Sequence, residues 1–103
     1  MPTTTALDLD TLARIGEALA DGTRRAVLAE LVAGPHYPAD LADRLGVSRS
    51  GLSNHLACLR GCGLVDATYE GRRVRYELAD PQIAAALTSL SQLPLSPCPH
   101  DDD

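Results

Sequence analysis

From Asp8 onward the apolar residues Leu9, Leu12, Ile15 and Leu19 recur at the spacing of one helical face, which predicts a first helix running to about Ala20. Asp21 can cap a second helix that carries Val27, Leu28, Leu31 and Val32 and ends at Gly34-Pro35. Pro38, well suited to a first helical turn, opens a short third helix through Leu41 and Leu45 that stops at Gly46. Ser48 stands where an N-cap opens a fourth helix, whose apolar stripe of Leu52, Leu56 and Leu59 reaches Gly61-Cys62-Gly63. The third helix, the turn Gly46-Val47-Ser48 and the fourth helix together read as a helix-turn-helix.

The period then changes. Leu64 to Tyr69 and Arg73 to Leu78 are short β-type runs, and in the second Val74, Tyr76 and Leu78 alternate with Arg73, Arg75 and Glu77. Glu70-Gly71-Arg72 supplies the turn between them, giving a β-hairpin with an arginine-rich tip, a wing. Asp80-Pro81 caps a fifth helix with Ile83, Leu87 and Leu90 on one face, and Pro94, Pro97 and Pro99 predict an extended tail. His36 beside Tyr37 reads as plain loop. The expected fold is therefore mainly α with a small β-hairpin, a winged helix-turn-helix of order ααααββα. Residues 1–7 are expected to be a disordered N-terminus, 8–92 the winged helix-turn-helix domain, and 93–103 a Pro-rich tail.

A chain of 103 residues holds one domain. With no Trp, no Phe and three Tyr, its interior must be aliphatic. The formal net charge of -5 argues by itself against a nucleic-acid partner, but from Arg44 to Tyr76 six arginines face two acids. An acidic protein can carry a basic face. No apolar run approaches the roughly 20 residues that span a bilayer, and no signal-peptide order is visible, so a cytoplasmic location is expected. The three cysteines, an odd count, suit metal or redox chemistry better than a disulfide scaffold.

On the fourth helix, Ser50, Ser53, Asn54 and Ala57 fall opposite the leucine stripe. Small and hydrogen-bonding groups suit close approach to base edges in a major groove, where Asn pairs with adenine and Ser with several edges. Arg49, His55 and the wing arginines Arg72, Arg73 and Arg75 are expected at the DNA, the arginines on phosphates. Double-stranded operator DNA is thus the expected partner. Helices one and five lie outside the helix-turn-helix and are rich in Leu and Ala, so each is expected to bury a face in a symmetric homodimer. The alternative is that both close the monomer's own core.

Cys58 and Cys62 are four residues apart, one helical turn, with β-carbons separated by about 5 to 6 Å. They stand on the shoulder of the fourth helix between the leucines and Asn54, where two sulfurs can turn onto one ion. Cys98 offers a third thiolate, within reach of the partner subunit because its tail leaves a dimerising helix. Three thiolates favour soft ions, Cd²⁺ and Pb²⁺ above all; Zn²⁺ fits if His100 or Asp101 adds a fourth ligand. The bland alternative is that the thiols are small core hydrophobes. A third possibility keeps DNA binding and makes the thiols a redox switch. A thiol enzyme using Cys58 with His55 is disfavoured, since so short a chain leaves little room for a substrate pocket.

The stretch Leu19-Ala20-Asp21-Gly22-Thr23-Arg24-Arg25, with Ser53-Asn54-His55-Leu56 and Leu59-Arg60-Gly61-Cys62-Gly63-Leu64-Val65, resembles the ArsR/SmtB family of winged-helix metal-sensing repressors. The run from His55 to Val65, followed by Ala67-Thr68-Tyr69-Glu70-Gly71-Arg72, is similar to the cadmium and lead sensors within that family. The resemblance implies a homodimeric, non-enzymatic repressor. It also implies that Cys58, Cys62 and a tail cysteine matching Cys98, contributed by the other subunit, bind the ion, and that binding releases operator DNA. A Cys-x-Cys arsenic-type site is absent, because the third helix is preceded by His36-Tyr37, and residues 81–92 hold no His, Asp or Glu for an interfacial zinc site on the fifth helix.

Overall fold

The computed structural model describes residues 6–97. Five helices and one hairpin follow in the order α1 (Leu9–Ala20), α2 (Gly22–Ala33), α3 (Pro38–Leu45), α4 (Arg49–Gly61), β1 (Val65–Glu70), β2 (Arg73–Leu78) and α5 (Pro81–Ser91). Each predicted cap is made: Asp21 accepts from the Arg24 N–H, Ser48 from Gly51 and Asp80 from Gln82, and Asp8 does the same for α1 through Thr11. Pro38 at the first position of α3 needs no such bond for its own missing N–H, and Tyr37 before it provides no side-chain cap.

The interior is built by the helix-turn-helix and the helix preceding it. Val27, Leu28 and Leu31 of α2, Leu41 of α3, and Leu52, Leu56 and Leu59 of α4 are buried together, and Leu64 and Val65 carry this core into the hairpin. At about 1.5 to 3 kcal/mol for each large aliphatic side chain, this cluster is what holds α4 in place. The strands pair antiparallel from Val65↔Leu78 to Glu70↔Arg73. The loop is thus Gly71-Arg72, one residue tighter than the sequence suggests, with Gly71 at φ 64 and no positive φ at Arg72, the sign pattern of a type II′ turn.

Two departures matter. His36 is not plain loop: its N–H donates to the Tyr76 carbonyl (2.9 Å) and its carbonyl accepts from the Tyr76 N–H (2.8 Å), an isolated bridge on the open edge of β2. A single paired residue has no alternation by which a sequence could announce it. The second departure is α5, which is as apolar as expected yet contains no buried residue. Among the described residues no helix is long and apolar enough to cross a membrane.

Candidate functional site

Helix α4 presents two chemically distinct sides beside its buried leucines. Ser50, Ser53, Asn54 and Ala57 are all exposed, as is Arg49 in the first turn. Ser48 Oγ accepts from the Gly51 N–H at 3.0 Å, which satisfies one of the orphan amides at the helix start and fixes where this row begins. His55 lies apart from the row. It is half-buried, with Nδ1 3.8 Å from Asp21 Oδ2, so the corner between α1 and α2 rests against the middle of α4.

The other side carries the thiols. Cys58 lies within α4, and Cys62 is its C-cap residue, with its N–H still bonded to the Cys58 carbonyl at 3.0 Å. The helical turn between them is therefore intact. Gly63 follows at φ 83, the left-handed conformation that a residue with a β-carbon rarely adopts. It lets Leu64 N–H return to the Leu59 carbonyl (3.1 Å) and Gly63 N–H to that of Arg60 (3.0 Å), a Schellman termination with Leu59 and Leu64 both buried. That ending places Cys62 against the core, and both thiols are half-buried.

Burial pushes the Cys62 thiol above its ordinary pKa; the adjacent Cys58 thiol and Glu17 of α1 add to the shift, and Arg24 opposes it. Among the described residues no three His, Cys, Asp or Glu side chains gather into a metal-holding group, so the pair supplies two donors. Cys98, His100 and Asp101 lie outside the described residues. The pair itself suits a soft cation, since both donors are sulfur and stand one turn apart on a rigid element.

The corner next to the thiols is firmly tied. Arg24 donates through Nε to the Ala18 carbonyl (3.2 Å) and through a terminal nitrogen to that of Glu17 (2.7 Å), and Arg25 donates to that of Leu19 (2.7 Å). These bonds satisfy the last carbonyls of α1 from the first turn of α2. The Arg24 N–H, above all, holds the Asp21 carboxyl below the usual carboxylate value, with the charges of His55 and Arg24 assisting.

On the wing, Arg72 is exposed in the turn. Arg73 lies over the Tyr37 ring at 3.5 Å from the centroid. Arg75 is half-buried, its Nε 3.5 Å from Glu70 Oε2. Tyr37 and Glu70 escape a reading of the sequence, because a tyrosine before a proline and a glutamate at a strand end carry no local signal of meeting.

Residues 21–67 match the family described as bacterial regulatory protein, arsR family. The transcriptional regulator CmtR of Mycobacterium tuberculosis is 60% identical over 85 residues, which span 82% of this chain and 72% of that protein. The chain belongs to the ArsR family. Solved structures agree with the architecture: the NMR structure of the cadmium metal-sensor CMTR from Mycobacterium tuberculosis superposes with a TM-score of 0.68 at 55% identity, covering 87% of this chain and 99% of that one. The homodimeric winged helix-turn-helix DNA-binding domain of Mb0332 from Mycobacterium bovis gives 0.76 at 34% identity, covering 81% and 77%. In this ArsR-family chain α3 and α4 are therefore the helix-turn-helix and β1–β2 the wing.

Proposed function

We propose that the chain is a homodimeric transcriptional repressor that leaves operator DNA when Cd²⁺ or Pb²⁺ binds its thiols. One observation carries the reading: a half-buried pair of sulfurs sits on the same helix whose exposed face bears Ser50, Ser53 and Asn54. Those three side chains read base edges, while Arg49, Arg72, Arg73 and Arg75 hold phosphates and His55 backs the helix through Asp21. Anything that changes the seating of α4's shoulder changes how that face meets a groove. Cys58 and Cys62 are the ligands on α4, and Cys98 of the partner subunit is the third; Zn²⁺ requires His100 or Asp101 as well. The cation supplies the positive charge that favours the thiolate forms, and the protein supplies the turn that keeps two sulfurs adjacent.

The dimer is supported by what α1 and α5 leave uncovered. Leu9 is 72% exposed and Leu90 48% exposed, with Leu7, Leu12, Leu93 and Leu95 also open. An apolar groove of about 330 Å³ lies between α2 and α5, lined by Leu28, Val32 and Leu87. Two copies joined there present two α4 helices to half-sites roughly 34 Å apart.

The test is a titration of the operator-bound protein with Cd²⁺, together with the ultraviolet sulfur-to-metal charge-transfer band. Wild type is expected to lose DNA affinity by a factor corresponding to about 1 to 3 kcal/mol of coupling, and Cys62→Ser and Cys98→Ser to lose both the band and the response. Unchanged DNA affinity at saturating Cd²⁺ rejects the sensor reading. A response that survives in the serine variants rejects the ligand assignment.

A further inference from the structure

The wing is joined to the start of the helix-turn-helix by contacts that link residues far apart in sequence. Tyr37, the residue before α3, donates its hydroxyl to Glu70 Oε1 at 2.6 Å across 33 positions. Glu70 is paired in register with Arg73, whose guanidinium lies on the Tyr37 ring. The other Glu70 oxygen faces Arg75 Nε, a buried nitrogen without a hydrogen-bond partner among the described residues. Next door, the His36 and Tyr76 backbones exchange two hydrogen bonds. One aromatic ring, one carboxylate and two guanidinium groups thus form a single cluster at the base of the turn.

We propose that Tyr37 and Glu70 are positioning residues for DNA binding, holding the Arg73 and Arg75 side chains in place before the phosphate backbone arrives. The inference rests on the DNA-binding reading above. An arginine on an exposed hairpin normally gives up several rotatable bonds when it meets a phosphate. Stacking uses the face of the guanidinium and leaves its in-plane N–H donors available, so Arg73 over Tyr37 is already ordered and still able to donate. Glu70 is the counter-charge beside Arg75, and the Tyr37 hydroxyl fixes the orientation of that carboxylate. The short bond also keeps the Tyr37 phenol neutral, raising its pKa above the ordinary value of 10.0. The same contact sets the height of the exposed Arg72 relative to α4, because the hairpin is tied to α3 at the ring.

The probe is a duplex selected by the wild-type protein from a random-sequence pool. Binding is measured against salt for wild type, Tyr37→Leu, Tyr37→Phe, Arg73→Ala and the double variant Tyr37→Leu/Arg73→Ala. Tyr37→Leu and Arg73→Ala are each expected to weaken binding by about tenfold and to lower the salt slope by about 0.9 for each wing in the complex. The double variant is expected to be no weaker than either. Tyr37→Phe keeps the ring, so it should keep the wild-type salt slope while losing about twofold to threefold in affinity through the missing bond to Glu70. In the free protein, the Arg73 Nε–H resonance should show a ring-current displacement in wild type and Tyr37→Phe.

Additive losses in the double variant, or a wild-type salt slope in Tyr37→Leu, would overturn the proposal. Should Tyr37→Leu fail to fold, Tyr37→Phe and the wild type decide: a salt slope in Tyr37→Phe lowered as in Arg73→Ala, or no ring-current displacement of the Arg73 Nε–H in the wild type, overturns the proposal. Failure of the wild type to select any duplex ends the DNA-binding reading and this role with it. Additivity with selection intact ends only the role.

Discussion

Helices α4 and α5 have similar lengths, 13 and 11 residues, begin with capped first turns and carry leucines on one side, yet the first buries three leucines completely while the second buries none. An apolar stripe on a helix states that a face will be covered; it does not state by which chain. For α4 the cover is α2, α3 and the hairpin. In α5, Leu87 and Ile83 lean on the core's margin and Leu90 stays in the open. One helix is complete within a single chain, and the other leaves an apolar face uncovered.

The largest effect should come from breaking the complete side. Leu56 is about as buried as a side chain can be, at 1% exposure. Leu56→Ala leaves a cavity in the core and is expected to cost about 2 to 5 kcal/mol in denaturant unfolding. Next comes the incomplete side: Leu90→Glu should leave each subunit folded but weaken self-association by roughly tenfold to a hundredfold in sedimentation equilibrium, about 1.4 to 2.8 kcal/mol. DNA affinity should fall with it, because two half-sites are no longer held together. If Leu90→Glu instead unfolds the monomer at unchanged self-association, the contrast between the two helices is wrong.

A smaller effect sharpens the α4 side. Asp21 caps α2 and faces His55, and its carboxyl is held below its ordinary pKa of 3.8. A lowered folded pKa contributes stability that is present above the unfolded value and lost as pH falls through the folded one. Unfolding experiments below about pH 4 should therefore show wild type losing stability that Asp21→Asn, whose cap does not titrate, does not lose over the same range. Parallel acid limbs for the two proteins would count against the cap as the source. Asp8, held low by the Thr11 N–H, behaves alike at the start of α1.

The sequence made the helices legible because their determinants are local. Asp21, Ser48 and Asp80 each bond an amide two or three residues away, and the leucine spacing of α4 needs no knowledge of the fold. The thiol pair was legible for the same reason, being one turn of one helix. What escaped was non-local. The Tyr37 to Glu70 bond, the Arg73 stack and the His36 bridge to Tyr76 each join the approach to α3 with the hairpin, and no periodicity encodes a meeting across more than thirty residues. Cys98 falls outside the described residues.

The gentlest probe of α5 is Thr88, which lines the groove with Leu28, Val32 and Leu87. A threonine there looks like a polar fault in an interface. Its hydroxyl, however, donates to the Ala84 carbonyl one turn back at 2.9 Å, and Ser91 does the same to Thr88 at 2.8 Å. Both polar groups are already satisfied within α5, so their burial against a second chain leaves no donor unpaired. Thr88→Ala is therefore expected to change folding and dimerisation by less than about 0.5 kcal/mol each, measured by thermal unfolding and sedimentation. Thr88→Asp adds a charge that the helix cannot absorb and should weaken the dimer as Leu90→Glu does. A large loss in the alanine variant would mean that the hydroxyl bonds outward, and that the face is polar where it looks apolar.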